Sequence, residues 1–89
     1  MADIDFSEAF VEGMLKVRLE SKRNEIFEKI ELLAFVPEMG SRILPESVVR
    51  RFGREVRKVV IDPFDIIYRY FPEEDLVFVE GLLYQREAQ

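Results

Sequence analysis

The chain has 89 residues, 48% of them hydrophobic with eight Phe and no Trp, and a formal net charge of −5, which suits a single domain spanning residues 1–89 with a small core. It contains no Cys and no His, so thiol chemistry and histidine-dependent triads are excluded, and a zinc site loses its commonest ligands. With no disulfide or zinc staple available, packing or self-association must supply the stability, and a homodimer is the expected way to add it.

The N-terminal Met1-Ala2-Asp3-Ile4-Asp5 lacks the positive charge and apolar run of a signal peptide, and the absence of Cys suits a reducing compartment, so a cytoplasmic location is expected. No apolar stretch approaches the roughly 20 residues needed to cross a bilayer. Residues 64–71 come nearest and carry Asp65 and Arg69, so no membrane role is expected.

Taken in chain order, Ile4 and Phe6 alternate with Asp3 and Asp5, the period of a short edge strand. Ser7 then has the character of a helix N-cap, with Phe6 and Val11 placed to form a hydrophobic staple. Phe10, Val11, Met14, Leu15 and Leu19 recur at helical spacing, whereas residues 20–25 hold no large apolar side chain and read as an interhelical turn. Helical spacing returns with Ile26, Phe27, Ile30, Leu33 and Ala34 and ends at Pro37 and Gly40. One continuous helix over residues 7–36 would be about 45 Å long, too long for a small globule, so a helical hairpin is preferred, with Phe27 in its core.

Pro45 and Gly53 bracket a short helix at residues 47–52 inside an irregular connection. Residues 56–61, 64–71 and 76–84 are rich in β-branched and aromatic side chains and read as three strands. Asp62-Pro63 separates the first two, and Pro72-Glu73-Glu74-Asp75 forms a hairpin connection between the last two. Short links favour antiparallel pairing throughout, and Gly81 inside the last strand marks either a bulge or a close backbone approach. The expected fold is α+β: a short first strand, a helical hairpin and a C-terminal antiparallel sheet of three further strands.

The glycines at 13, 40, 53 and 81 are isolated, so no phosphate-cradling loop exists and no nucleotide cofactor is implied. Asp62 and Asp65 flank Pro63, and Glu73, Glu74 and Asp75 sit at a hairpin tip, where charge is ordinary; no metal is expected either. Charge is unevenly spread: within residues 42–58, Arg42, Arg50, Arg51, Arg54, Arg57 and Lys58 face only Glu46 and Glu55, leaving that segment at +4 and the remainder at −9. Such a segment can dock an acidic partner or a local phosphate, or it can be a solvated loop. A second set, Arg57, Lys58, Tyr68, Arg69, Tyr70, Tyr84 and Arg86, is compatible with a metal-free ribonuclease in which cations stabilise a phosphorane-like transition state, Tyr transfers protons and rings stack bases. The competing reading of the same residues is sheet packing and edge protection.

The run Val56-Arg57-Lys58-Val59-Val60-Ile61-Asp62-Pro63-Phe64-Asp65-Ile66-Ile67-Tyr68-Arg69-Tyr70 resembles the central strands of RelE/ParE-type toxins. The Pro37-Glu38-Met39-Gly40-Ser41 helix exit and the closing Leu83-Tyr84-Gln85-Arg86 extend the resemblance over nearly the whole chain. It implies the toxin of a type II toxin–antitoxin pair, neutralised by a cognate antitoxin. RelE-like members cleave mRNA on the ribosome, whereas ParE-like members, associated with plasmid stabilisation, poison DNA gyrase. Asp65 stands where the RelE-like pattern has a basic residue, and no Tyr follows Arg86, so the resemblance leans to the ParE branch, with gyrase as the implied target.

On that reading Arg50, Arg51, Arg54, Arg57, Arg69 and Arg86 are the partner-binding candidates. The alternative, a metal-free endoribonuclease acting on RNA, would draw on Arg57, Lys58, Tyr84 and Arg86, and a third reading is a non-toxic binding module on the same fold.

Overall fold

In the computed structural model, which describes residues 1–85, strand β1 (Asp3–Phe6) runs directly into helix α1 (Glu8–Leu15). Ser7 is the cap, its hydroxyl accepting from the Phe10 N–H at 3.0 Å and donating to the Glu80 carbonyl. One small side chain thus satisfies an orphan helix donor and pins the helix start to the sheet. Helix α2 (Glu20–Phe35) follows after residues 16–19, so the helices form a hairpin. A continuous helix of about 45 Å would exceed the molecule's longest dimension of 34 Å.

The turn lies earlier than the polar run at 20–25 suggests. Val17 is buried and the Arg23 guanidinium donates to the carbonyls of Val17 and Arg18 at 2.6 and 3.1 Å, closing the turn from the first coil of α2. Residues 20–25 are helical because a helix's opening turn can face water on every side without losing its backbone bonds. The buried stripe also differs in detail. Phe10, Met14, Ile26, Ile30, Leu33 and Ala34 are buried, while Val11, Leu15 and Leu19 are exposed, Leu15 at 81%. Phe27 is 42% exposed and meets Phe6 and Phe10 edge-on at 6.3 Å, so it caps the rim of the core instead of filling it. Phe6 in turn stacks on Phe10 at 5.2 Å.

Strands β2 (Arg57–Ile61), β3 (Phe64–Phe71) and β4 (Leu76–Tyr84) fall where the β-branched runs place them, with a cis Asp62–Pro63 bond between the first two. The sheet order is β1-β4-β3-β2. β2 with β3 and β3 with β4 are antiparallel, but β1 lies parallel to β4, contrary to the antiparallel expectation. Link length constrains only consecutive strands, and β1 and β4 are the two ends of the chain. The register slips between Ile67 and Tyr68, which face Gly81 and Val79, so Glu80 is the extra residue of a bulge. Gly81 serves the second expected role as well: a Cβ there would lie 3.0 Å from the Phe52 ring.

Side chains alternate across the sheet, and both faces are covered. Ile66, Tyr68, Val77, Val79 and Leu82 pack with α1 and α2. Ile67 and Leu83, on the other face, pack with Val48 and Phe52 of α3 (Glu46–Phe52) and with Leu44 and Val56. Among the described residues no helix is long and apolar enough to cross a membrane.

Tyr68 joins the two halves. Its hydroxyl donates to the Pro37 carbonyl at 2.7 Å and accepts from the Gly40 N–H at 2.9 Å. Beside it the Arg57 guanidinium donates to the carbonyls of Glu38 and Gly40 at 3.0 and 3.1 Å, with the Glu38 carboxylate 3.9 Å away. Ser41 then pairs with Lys58 through two backbone bonds of 2.8 and 2.9 Å. Gly40 has no room for a side chain, since a Cβ would lie 2.6 Å from the Tyr68 hydroxyl oxygen.

Tyr68→Phe is expected to cost about 1–3 kcal/mol in denaturant unfolding, because it orphans a buried N–H and a carbonyl together; a cost near zero would remove this residue from its joining role. Gly40→Ala should destabilise more than Gly81→Ala, whose neighbour is a ring edge that can shift. Arg57→Ala should cost about 1–2 kcal/mol, against about 0.5 kcal/mol or less for the exposed Arg50→Ala, because Arg57 is bonded to the loop and Arg50 is not.

Burial pushes the Tyr68 phenol above its ordinary 10.0, against the opposing pull of the Gly40 hydrogen bond and Arg57. Its contribution to stability is therefore fully present below about 10 and lost as pH rises through the folded value. Ultraviolet titration of the native chain, compared with Tyr68→Phe, should show a late-ionising tyrosine missing from the variant.

Candidate functional site

The sheet face that carries α3 holds the polar groups nearest to a constellation. Lys58, opposite Ile67 on the neighbouring strand, places its Nζ 3.9 Å from Oδ2 of Asp65. Asp65 is 3% exposed, and its other oxygen accepts from the Gln85 amide at 3.3 Å. On the far side of the apolar cluster, Arg69 Nε donates to Glu80 at 3.1 Å and its terminal nitrogen donates to the Phe52 carbonyl, also at 3.1 Å. Arg69 thereby ties the end of α3 to the sheet, and the bulge supplies its carboxylate partner.

Each candidate cation on the strands is therefore matched inside the protein: Arg57 with Glu38, Lys58 with Asp65, Arg69 with Glu80. A cation already held by a carboxylate offers a phosphate less attraction than a free one. The strand candidates are also not brought together. Arg57 and Lys58 are adjacent on β2, so they point to opposite faces. Tyr84 sits at the far end of β4 opposite Phe64, is exposed and meets the Phe64 ring at 5.7 Å. Tyr70 donates to Asp75 at 3.1 Å. Arg86 lies outside the described residues.

The basic segment behaves differently. Arg50 and Arg51 lie in the last turn of α3, where they complement the helix dipole, and Arg54 follows the Gly53 cap. All three are exposed. Arg51 stands 5.0 Å over the Phe52 ring, and none of the three has a carboxylate partner among the described residues. Two further exposed cations, Lys16 and Arg18, lie in the turn between α1 and α2, and sequence reasoning does not reach them because Lys16 is 35 positions from Arg51, with which it shares a cleft. Lys16 and Arg51 line one cleft with Phe64 and Tyr84. Among the described residues no group of three metal-ligating side chains gathers.

No known protein-family model and no curated protein sequence matches the chain. Its fold, however, superposes on solved structures over almost its full length. The intact Escherichia coli RelBE toxin–antitoxin complex contains a chain of TM-score 0.70 and 17% identity, with 92% of this chain and 94% of that one aligned. The isolated E. coli RelE toxin gives a TM-score of 0.71 at 17% identity over 94% and 84% of the two chains. The archaeal RelE–RelB complex of Pyrococcus horikoshii gives 0.63 at 12% identity over 94% of both. These likenesses lie with RelE, and the expected leaning toward the ParE branch and gyrase draws no support from them. The chain has the RelE toxin fold.

Proposed function

We propose that this chain is a RelE-type toxin of a toxin–antitoxin pair, held by a cognate antitoxin and directed at RNA. The observation that carries the reading is the end-to-end coincidence of its fold with RelE chains from a bacterium and an archaeon, two of them in complexes with an antitoxin. The surface suits a protein partner. Leu32, Phe35, Val36, Met39 and Ile43, at and after the end of α2, are all exposed, and an amphipathic antitoxin segment would cover such side chains. The cations of α3 suit acidic residues on the same partner. RNA takes the place of gyrase as target because the likenesses are to RelE toxins.

A second reading, a binding module without nuclease activity, is favoured by the internal pairing of Lys58 and Arg69. A metal-free cleavage must place positive charge where negative charge develops in the transition state, and here the Asp65 carboxylate competes for the Lys58 ammonium.

Induced expression in a bacterial host should arrest growth with cleavage of mRNA and unchanged DNA supercoiling. Arrest with intact RNA and disturbed supercoiling would restore the gyrase target, and absence of arrest would favour the binding module. Under the nuclease reading Asp65→Asn should raise cleavage several-fold by releasing Lys58, and Lys58→Ala should lower it. RNA that stays intact with every variant sinks that reading.

A further inference from the structure

The RNA-directed reading leaves open where a strand would lie, and the matched cations of the sheet face make that face a poor electrostatic anchor. The exposed cations without carboxylate partners among the described residues gather elsewhere. At the end of the sheet where β3 begins and β4 finishes, a cleft of about 360 Å³ is walled by α1 on one side and Arg51 of α3 on the other, within the range of about 300–1,000 Å³ common for ligand sites. A second depression of about 260 Å³ adjoins it, sharing Lys16 and Phe64 and adding Arg18 and Lys22. Lys22 is engaged, donating to the Asp62 carbonyl at 2.8 Å and pairing with Glu25 at 2.6 Å. Lys16, Arg18 and Arg51 have no such partner among the described residues.

The floor between these cations is aromatic. Phe64 and Tyr84 meet edge to face at an interplanar angle of 63°, and Tyr84, being exposed, leaves ring surface open to the cleft. Cations spaced around exposed rings are what single-stranded nucleic acid requires: charge for successive phosphates and a flat apolar face for a base. Glu12 is the acid in the lining. It repels phosphate locally and offers an acceptor to a base amino group, so the cleft is not a site for a bare phosphate. A duplex cannot present a base to a recessed ring pair without unstacking it, whereas a single strand can.

We propose that this end cleft, formed by Lys16 and Arg51 around Phe64 and Tyr84 and continued by Arg18 in the adjoining depression, is a contact site for single-stranded RNA, phosphates on the cations and one base on the rings. The proposal rests on the RNA-directed reading and adds the location of the contact. Lys58 and Arg69 do not line the cleft, so a strand anchored here would not need their charges.

The test is a fluorescence-anisotropy titration of a short labelled single-stranded oligoribonucleotide with the intact chain over a range of salt concentrations. Lys16→Ala and Arg51→Ala should each weaken binding and reduce the slope of log affinity against log salt by about 0.7. Tyr84→Leu should weaken binding roughly 5-fold or more while leaving that slope unchanged. Lys29→Ala removes the same charge from a half-buried position of α2 that lines neither depression and should bind as the native chain does, and the four variants should keep the native circular dichroism spectrum. Binding that persists in the three cleft variants but is lost in Lys58→Ala would overturn the cleft and leave the RNA-directed reading standing. No binding by the native chain at low salt would overturn both. Equal weakening by Lys29→Ala would reduce the effect to net charge and overturn the cleft.

Discussion

One phenol holds the two halves of this protein in register. The helical hairpin and the sheet are each made of local elements, but the loop that leaves α2 must return to the edge of β2 at a fixed distance, and Tyr68 sets that distance through its bonds to Pro37 and Gly40. Because the hydroxyl is buried, each lost bond would leave a polar group without water to replace it. The geometry leaves space for glycine alone at position 40, and it allows Arg57 to reach two carbonyls of the same loop. The loop then contributes Ser41 as a one-residue continuation of the sheet beyond β2. An arginine that sequence reasoning offers to a partner is thus committed to the fold, and its neighbour Lys58 is turned to the opposite face.

Pairing of charge follows from the same economy of space. A sheet covered on both faces leaves its interior cations little water, so those that remain there need carboxylates close by. Asp65 and Glu80 supply them, the latter because the bulge adds one residue to β4 and gives its side chain a place beside Arg69. The exposed ends of α3 and of the α1–α2 turn are under no such demand. An acidic chain can therefore hold unmatched positive charge at its periphery, where its field is felt within about 10 Å at ordinary salt, while its centre is neutralised.

How far the sequence reveals this depends on the range over which each feature is encoded. The strands at 64–71 and 76–84 and the cap at Ser7 are local patterns of residue type, and they appear where those patterns place them. The parallel pairing of β1 with β4 joins residues more than seventy positions apart and has no local signature. Phe27 keeps helical spacing with Ile26 and Ile30, but spacing defines a stripe and not its margins, and the ring falls at the margin. For the site, composition reveals the basic segment, and Arg51 belongs to it. The partners that neutralise Arg57, Lys58 and Arg69 are carboxylates 19, 7 and 11 positions away, brought close only by loops and registers. Lys16 and Arg18 belong to a short basic run with Lys22 and Arg23, but that Lys16 shares a cleft with Arg51 depends on the fold and has no local signature.

On the proposed RNA-directed reading, the two clusters of cations would divide the molecule's chemistry. A group that must stabilise a transition state needs a fixed position and gains from a dry, preorganised setting, even at the cost of a competing carboxylate. A group that must hold a polymer's backbone gains from being solvent-facing and unpaired, because release of counterions rather than a single tight contact supplies the affinity. Lys58 and Arg69, half-buried and paired, would suit the first demand, and Lys16, Arg18 and Arg51, exposed, the second. A fold with both can separate holding a strand from acting on it, and loss of the acting group would still leave a chain able to bind. The nuclease and binding-module readings then differ in the state of one ion pair, Lys58 with Asp65, and not in the architecture around it.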